Sequence, residues 1–134
     1  MHLEIANRER EGVIVLDLKG RITAGEEVSV FREAFEKIAG MENSRLIINL
    51  MHVDYIYSTG LGAMVMCSTI MKRGGGISKL LHLNRRNLEL LVLTKIDTIF
   101  EVFDDEVDAV NSFFPGREIK RFDILSFVRH MQEE

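Results

Sequence analysis

The run Leu46-Ile47-Ile48-Asn49-Leu50-Met51, followed a few residues later by Tyr57-Ser58-Thr59-Gly60-Leu61-Gly62, decides the fold. The first stretch is almost continuously apolar and too short for a helix of its own, the pattern of a strand covered on both faces. The second opens a helix near Ser58 or Thr59 that carries Leu61, Met64, Val65 and Ser68 on one side. Gly74-Gly75-Gly76 can take the left-handed conformations of a helix exit. A central strand feeding directly into a helix is the repeating unit of an α/β sheet.

Outward from that unit, the same alternation continues. Upstream, Leu3 and Ile5 alternate with Glu4, the pattern breaks at Arg8 to Gly12, and Val13 to Lys19 resumes it, which predicts an N-terminal hairpin. Val28, Phe31, Phe35 and Ile38 then recur at helical spacing, with Gly40 as the stop. Downstream, Ile77 to Leu83 reads as a strand, and Asn84 caps a helix carrying Leu88, Leu91 and Val92. Ile99 to Phe103 reads as a short strand, and Asp104, Asp105 and Glu106 open a helix with Val107, Val110 and Phe114 on one face. Pro115-Gly116 closes it. Beyond, Ile124, Phe127, Val128 and Met131 repeat at i, i+3, i+4 and i+7, which predicts a short amphipathic helix that must bury its apolar face. The expected organisation is one domain over residues 1–114 and a helical extension over 115–134.

Composition excludes several classes of function. The chain has 134 residues, 46% hydrophobic and 28% charged, enough for a packed core without metal or disulfide. A net charge of -4 argues against nucleic acid as the main partner. Lys72, Arg73, Lys79, Arg85 and Arg86 flank the glycine run, and Arg117, Lys120 and Arg121 precede the last segment; both groups read as solvated charge. No apolar run is long enough to span a bilayer. The lone cysteine, Cys67, has no internal partner, and with no leader at the N-terminus the expected location is the cytoplasm.

Enzyme constellations are mostly absent. His2, His52, His82 and His130 are scattered with no zinc-ligand spacing to Cys67, so no metal and no cofactor is expected. The glycine run lacks the Lys-Ser or Lys-Thr of a phosphate loop, and Gly60-Leu61-Gly62 lacks the third glycine of a dinucleotide fingerprint. Cys67 reads as an inert small hydrophobe, and Met64, Met66 and Met71 as core fillers. What remains is Ser58, whose hydroxyl lies where a helix start offers unpaired N–H groups and a favourable dipole for a phosphoryl group. A plain N-cap role for Ser58 or Thr59 is the simpler alternative.

The motif and its surroundings resemble the STAS domain of bacterial anti-sigma factor antagonists, with the apolar strand Leu46 to Leu50, then Val53, Tyr55-Ile56 and Ser58-Thr59-Gly60-Leu61-Gly62. Upstream, Val15 to Ile22 looks like the family's strand ending in Gly-x-Leu/Ile. Leu93 to Ile99, Phe100 to Phe103 and Glu106 to Val110 look like its closing elements. The resemblance covers roughly residues 3 to 114.

That resemblance implies a mixed β-sheet of four to five strands with helices packed on it, plus the additional C-terminal helix. It implies a non-enzymatic protein-interaction switch in transcription regulation. Its partner would be an anti-sigma factor that is a serine kinase; the kinase would phosphorylate Ser58 and release the phosphorylated antagonist. Thr23, Gly25, Tyr57, Ser58, Thr59, Gly60, Leu61 and Gly62 would form the docking face. Tyr57 and Asn49 depart from the family, which usually carries aspartate at both positions. Two alternatives stand beside this reading: a non-phosphorylated scaffold or regulatory subunit of a signalling or transport complex, and a nucleotide or small-molecule binding domain; with any of them the C-terminal helix could make a homodimer.

Overall fold

The computed structural model describes residues 3–22, 25–120 and 122–123. The chain enters as a hairpin in which β1 (Glu4–Arg10) and β2 (Val13–Ile22) pair antiparallel, from Glu4 opposite Lys19 to Arg10 opposite Val13. Glu11 and Gly12 connect them with φ of 53° and 82°. Two consecutive positive φ angles match the twist that a two-residue hairpin needs. β1 runs through Arg8, where the alternation in the sequence weakens, because Arg8 and Arg10 are held by partners across the sheet rather than by burial.

From β2 onward the sheet is parallel. β3 (Arg45–Ile56), β4 (Ile77–Leu81) and β5 (Val102–Phe103) follow in the spatial order β1-β2-β3-β4-β5. The helices between them are α1 (Glu26–Ala39), α2 (Ser58–Arg73), α3 (Arg85–Leu93) and, after β5, α4 (Glu106–Asn111). The result is the expected mixed sheet carrying helices. β3 is longer than its apolar run and β4 and β5 are shorter than theirs, since strand ends are set by hydrogen-bonding partners and not by side-chain pattern.

Both faces of the sheet are covered, as the continuous apolar run of β3 requires. Leu46, Ile48 and Leu50 join Leu16, Leu18, Phe31, Phe35, Ile38, Met64, Cys67 and Met71 on the α1/α2 side. Ile47 faces the opposite side with Val13, Val15, Leu81, Phe103, Ala109 and Val110 of α4. Phe31 and Phe35 are fully buried and meet edge to face at 5.5 Å. Cys67 is buried, and desolvation pushes its thiol up to about 11, so it is unreactive as expected.

Three expectations need correction. Met66 is not a core filler but stands 45% exposed on the outer side of α2, while Met64 and Met71 are buried. Val107 is exposed, because Ala109 and Val110 supply the buried face of α4. Lys79 is not solvated loop charge: it lies on β4, is 5% exposed, and donates to the hydroxyl of Ser112 at 2.8 Å. Its ammonium sits 4.5 Å over the ring of Phe113 and 3.7 Å from Glu101, so packing and charge pairing together replace its hydration.

Beyond α4, Arg117 stacks 4.1 Å over Phe114 and pairs with Glu11, and Ile119 packs on the second face of the sheet. The amphipathic helix expected around Ile124 to Met131 lies outside the described residues, as do His2, Arg121 and His130.

A charge cluster ties β1 to α4. Arg8 donates through Nε and Nη2 to Asp17 at 2.6 and 3.1 Å, and also to Glu106, which receives Arg10 at 2.7 Å. The Arg8 hydrogen bonds hold Glu106 down at about 2, and they also lower Asp17. Both carboxylates bind protons less readily folded than unfolded, so their stabilisation is complete above the ordinary glutamate value of 4.5 and is lost as pH falls toward about 2. Urea midpoints measured from pH 7 to 2.5 should fall across that window. In Glu106→Gln the fall should be shallower, and an unchanged profile would show that the cluster contributes nothing.

Candidate functional site: the start of the second helix

The candidate site is assembled where β2 and β3 end side by side. Their parallel register runs from Ile14 beside Leu46 to Ile22 beside Ile56, so both strands stop at one level. The chain then turns at Tyr57, whose N–H donates to the Ile22 carbonyl at 2.8 Å, and α2 begins at Ser58. The other side of β3 is held here by α3: Asn84 and Asn87 donate their side-chain amides to the Val53 carbonyl at 3.1 and 3.0 Å. Asn84 also caps α3, as the sequence predicts, accepting from the N–H of Asn87 at 2.9 Å.

Ser58 is not a helix cap. The capping position belongs to Tyr57, in extended conformation, with no side-chain capping bond. Ser58 is the first helical residue; it is exposed, and among the described residues its hydroxyl makes no hydrogen bond. A hydroxyl at that position lies beside the backbone N–H groups of a helix start, which accept a phosphoryl group without a basic side chain.

The motif divides sharply by burial. Tyr57, Ser58, Thr59 and Gly62 are exposed, whereas Gly60 and Leu61 are buried. Gly60 lies against the end of β2: a Cβ there would stand 2.5 Å from Ile22 Cγ2 and 2.9 Å from the Ile22 carbonyl oxygen. Gly62 has open space around it. Gly60 therefore lets α2 approach the sheet, and Gly62 leaves a bare spot on the outer surface. Gly25, with φ 59° and ψ -123°, precedes α1 and its carbonyl accepts from the N–H of Ser29 at 3.1 Å. Thr23 lies outside the described residues.

Sequence reasoning missed two groups of residues. On the outer side of α2, Met66 and Ile70 are exposed one and two turns beyond Gly62, prolonging the motif's surface as an apolar strip. The signal was their spacing of four from Gly62, obscured because the whole helix is apolar. The second group is aromatic and basic. Tyr57 meets Tyr55 edge to face at 5.5 Å, and the guanidinium of Arg86 lies 3.8 Å over the Tyr55 ring. Arg21 is the register neighbour of Tyr55 on β2, and its Nε is buried with no hydrogen-bond partner. One guanidinium, Arg21, thus lies near the end of β2 and a second, Arg86 of α3, stacks on Tyr55 of β3, and Tyr57 takes the position beside Ser58 where the resemblance expects a carboxylate.

Asn49 is in a different place. It lies mid-strand beside Asp17, to which its amide donates at 2.8 Å, and seven residues of strand, about 23 Å at 3.3 Å each, separate it from Ile56. Its exchange for aspartate bears on the Arg8 cluster, where a second carboxylate would face Asp17, and not on Ser58.

Comparison with known proteins gives the family and the fold. The STAS domain family model matches residues 4–109. The chain belongs to the STAS domain family. The anti-sigma-B factor antagonist of Bacillus subtilis (strain 168) is 29% identical over 102 residues, covering 76% of this chain and 92% of that protein. A candidate anti-sigma factor antagonist from Thermotoga maritima superposes with a TM-score of 0.74 at 21% identity, covering 81% of this chain and 92% of that one. SpoIIAA of Bacillus, solved in its phosphorylated form, has the same fold with a TM-score of 0.63 at 14% identity, over 82% of this chain and 99% of that one. Among the described residues no group of three His, Cys, Asp or Glu side chains is placed to hold a metal ion, and no helix is long and apolar enough to cross a membrane.

The two motif glycines make a test of opposite sign. Gly60→Ala should destabilise by about 1–3 kcal/mol through overpacking against Ile22. Gly62→Ala should leave stability unchanged or raise it by up to about 1 kcal/mol through helix propensity. Urea denaturation of both variants reads the difference, and equal effects would remove Gly60 from its place as the close-packing position.

Proposed function

We propose that this STAS domain protein acts as an anti-sigma factor antagonist. Its docking face is Tyr57, Ser58, Thr59 and Gly62 continued by Met66 and Ile70, and its partner is an anti-sigma factor with serine kinase activity. The observation that carries the reading is the exposed hydroxyl of Ser58 at the first position of α2, outside the capping role and beside an apolar strip. The protein works by binding, without catalysis of its own, in the cytoplasm. Thr23 and Gly25 belong to the same face by resemblance to the family, and the buried Gly60 and Leu61 support it from beneath.

The physical basis of the switch is charge. A phosphoryl group on Ser58 adds about -1.5 to -2 charges to a face that is otherwise apolar and uncharged, so a partner seated over Met66, Gly62 and Ser58 meets an ion that it has to desolvate. The first turn of α2 contains no acidic residue. With Tyr57 in place of a carboxylate, Arg21 near the end of β2 and Arg86 in the first turn of α3, stacked on Tyr55, the phosphorylated state here is relieved of like-charge repulsion. Membership of the family and the anti-sigma factor antagonists among its relatives support the partner class. The existence of a phosphorylated form of SpoIIAA supports the modification.

Wild-type protein and Ser58→Asp, used as paired baits in native lysate with mass spectrometry of what each retains, test this reading. Wild type should recover an ATPase of the serine-kinase class, and Ser58→Asp should lose it by at least about tenfold, with Met66→Glu weakening binding similarly. Incubation of the recovered kinase with ATP should then phosphorylate wild type at Ser58 and leave Ser58→Ala unmodified. Equal recovery by both baits, or phosphorylation elsewhere, would overturn the assignment.

A further inference from the structure

A cavity of about 380 Å³ opens at the end of β3 that is farthest from Ser58. Ser44 and Arg45 wall it where β3 begins, Ile77 and Lys79 on β4, and Ser112 and Phe113 beyond α4. The glycine run after α2 keeps this end open. Gly75 takes a φ of 79°, and a Cβ on Gly76 would stand 2.8 Å from the Ser44 Oγ.

The wall holds hydrogen-bonding capacity that the fold does not use. Ser44 is 9% exposed, and its Oγ is buried without a hydrogen-bond partner, although its backbone carbonyl accepts from the N–H of Ile77 at 3.0 Å. A buried hydroxyl left unpaired is costly, so one kept in a cavity wall points to a group that satisfies it. Charge is unbalanced in the same sense. The Lys79 ammonium, steered by its bond to the Ser112 hydroxyl, is buried beside the cavity, and the Arg45 guanidinium lies 4.9 Å over the Phe114 ring. Arg117 lies over that ring as well. Against these three cations stand Glu101, 3.7 Å from Lys79, and Glu11, 3.3 Å from Arg117; neither acid lines the cavity. Among the described residues Arg45 pairs with no acid.

We propose that this cavity binds a small phosphate monoester, with the phosphate between Arg45 and Lys79 and the ester's apolar group on Ile77 and Phe113. The Ser44 hydroxyl donates to it after rotation about χ1 alone, from one staggered position to another. The guanidinium fork of Arg45 matches two phosphate oxygens, while Lys79 adds a fixed charge in a partly dry wall. Two cations and a hydroxyl from separate elements suit a tetrahedral dianion better than a flat carboxylate, which the Arg45 fork alone would satisfy. The site is separated from Ser58 by the length of a twelve-residue strand, about 36 Å at 3.3 Å per residue, so its ligand does not compete with a partner on α2.

The test titrates the full chain with phenyl phosphate at constant ionic strength, followed by backbone amide NMR, with benzoate and chloride in parallel arms. Phenyl phosphate should shift the amides of Ser44, Arg45, Lys79 and Ser112 with a Kd below about 1 mM, benzoate should bind at least about tenfold more weakly, and chloride should shift none of them. Ser44→Ala and Arg45→Gln should each weaken phenyl phosphate binding by at least about tenfold. Without ligand, Ser44→Ala should be as stable as wild type in urea or more so, because it removes an unpaired buried hydroxyl. A loss of stability there would show that the hydroxyl is already used within the fold and would overturn the proposal. Absence of shifts at these amides, shifts confined to the start of α2, equal affinity for benzoate, or unchanged affinity in both variants would overturn it as well.

Discussion

The close approach of α2 to the end of β2 is the constraint on which the rest depends. It is made of two contacts with one residue: the N–H of Tyr57 on the carbonyl of Ile22, and the bare Cα of Gly60 against the Ile22 side chain. Together they fix where the helix starts, how it is tilted, and which hydroxyl stands at its first turn. That geometry rests in turn on the full-length pairing of β2 with β3, whose bulges between Asp17 and Lys19 and between Gly20 and Arg21 bring both strands to a common end. A helix start positioned by backbone contacts and a missing Cβ does not need its serine for structure, and Ser58 is left available for chemistry.

The two faces of the sheet are used differently. The α1/α2 face holds the larger core, with phenylalanines and methionines between two long helices. The other face holds a smaller core under the short α4, and polar clusters finish it: Arg8 with Asp17 and Glu106 at one end, Lys79 with Ser112 and Phe113 in the middle. Asn49 belongs to this second face. Placing an amide beside Asp17 avoids adding a third carboxylate to the two, Asp17 and Glu106, that Arg8 already receives. The aspartate that the resemblance expects at Asn49 would therefore bear on the electrostatics of the sheet, whereas the one it expects at Tyr57 would bear on the surroundings of Ser58.

Most of the element order was legible because each element carries its own local period. The hairpin, the stripe of α1, the apolar run of β3, the Asn84 cap and the acidic opening of α4 are all readable within a dozen residues, and the structure has each of them. Strand ends were not legible, since they depend on what lies alongside: β3 extends past its apolar run because Asn84 and Asn87 satisfy its outer edge where β4 has stopped. Met66 and Lys79 were misread for a related reason. An all-apolar helix hides which side faces water, and a lysine after a glycine run gives no sign of the aromatic ring and hydroxyl that receive it.

The sequence by itself determined the family, the alternation of strands and helices, and the position of Ser58 at a strand-to-helix turn, because motif and period are properties of neighbours along the chain. Only the tertiary structure decided what each motif residue does. It separated Gly60, which packs against Ile22, from Gly62, which faces solvent. It gave the cap position to Tyr57, moved Asn49 to a distant cluster, and joined Met66 and Ile70 to the serine as one surface. Those distinctions depend on which residues from other strands and helices arrive next to them, and such contacts are fixed when the sheet and its helices pack together.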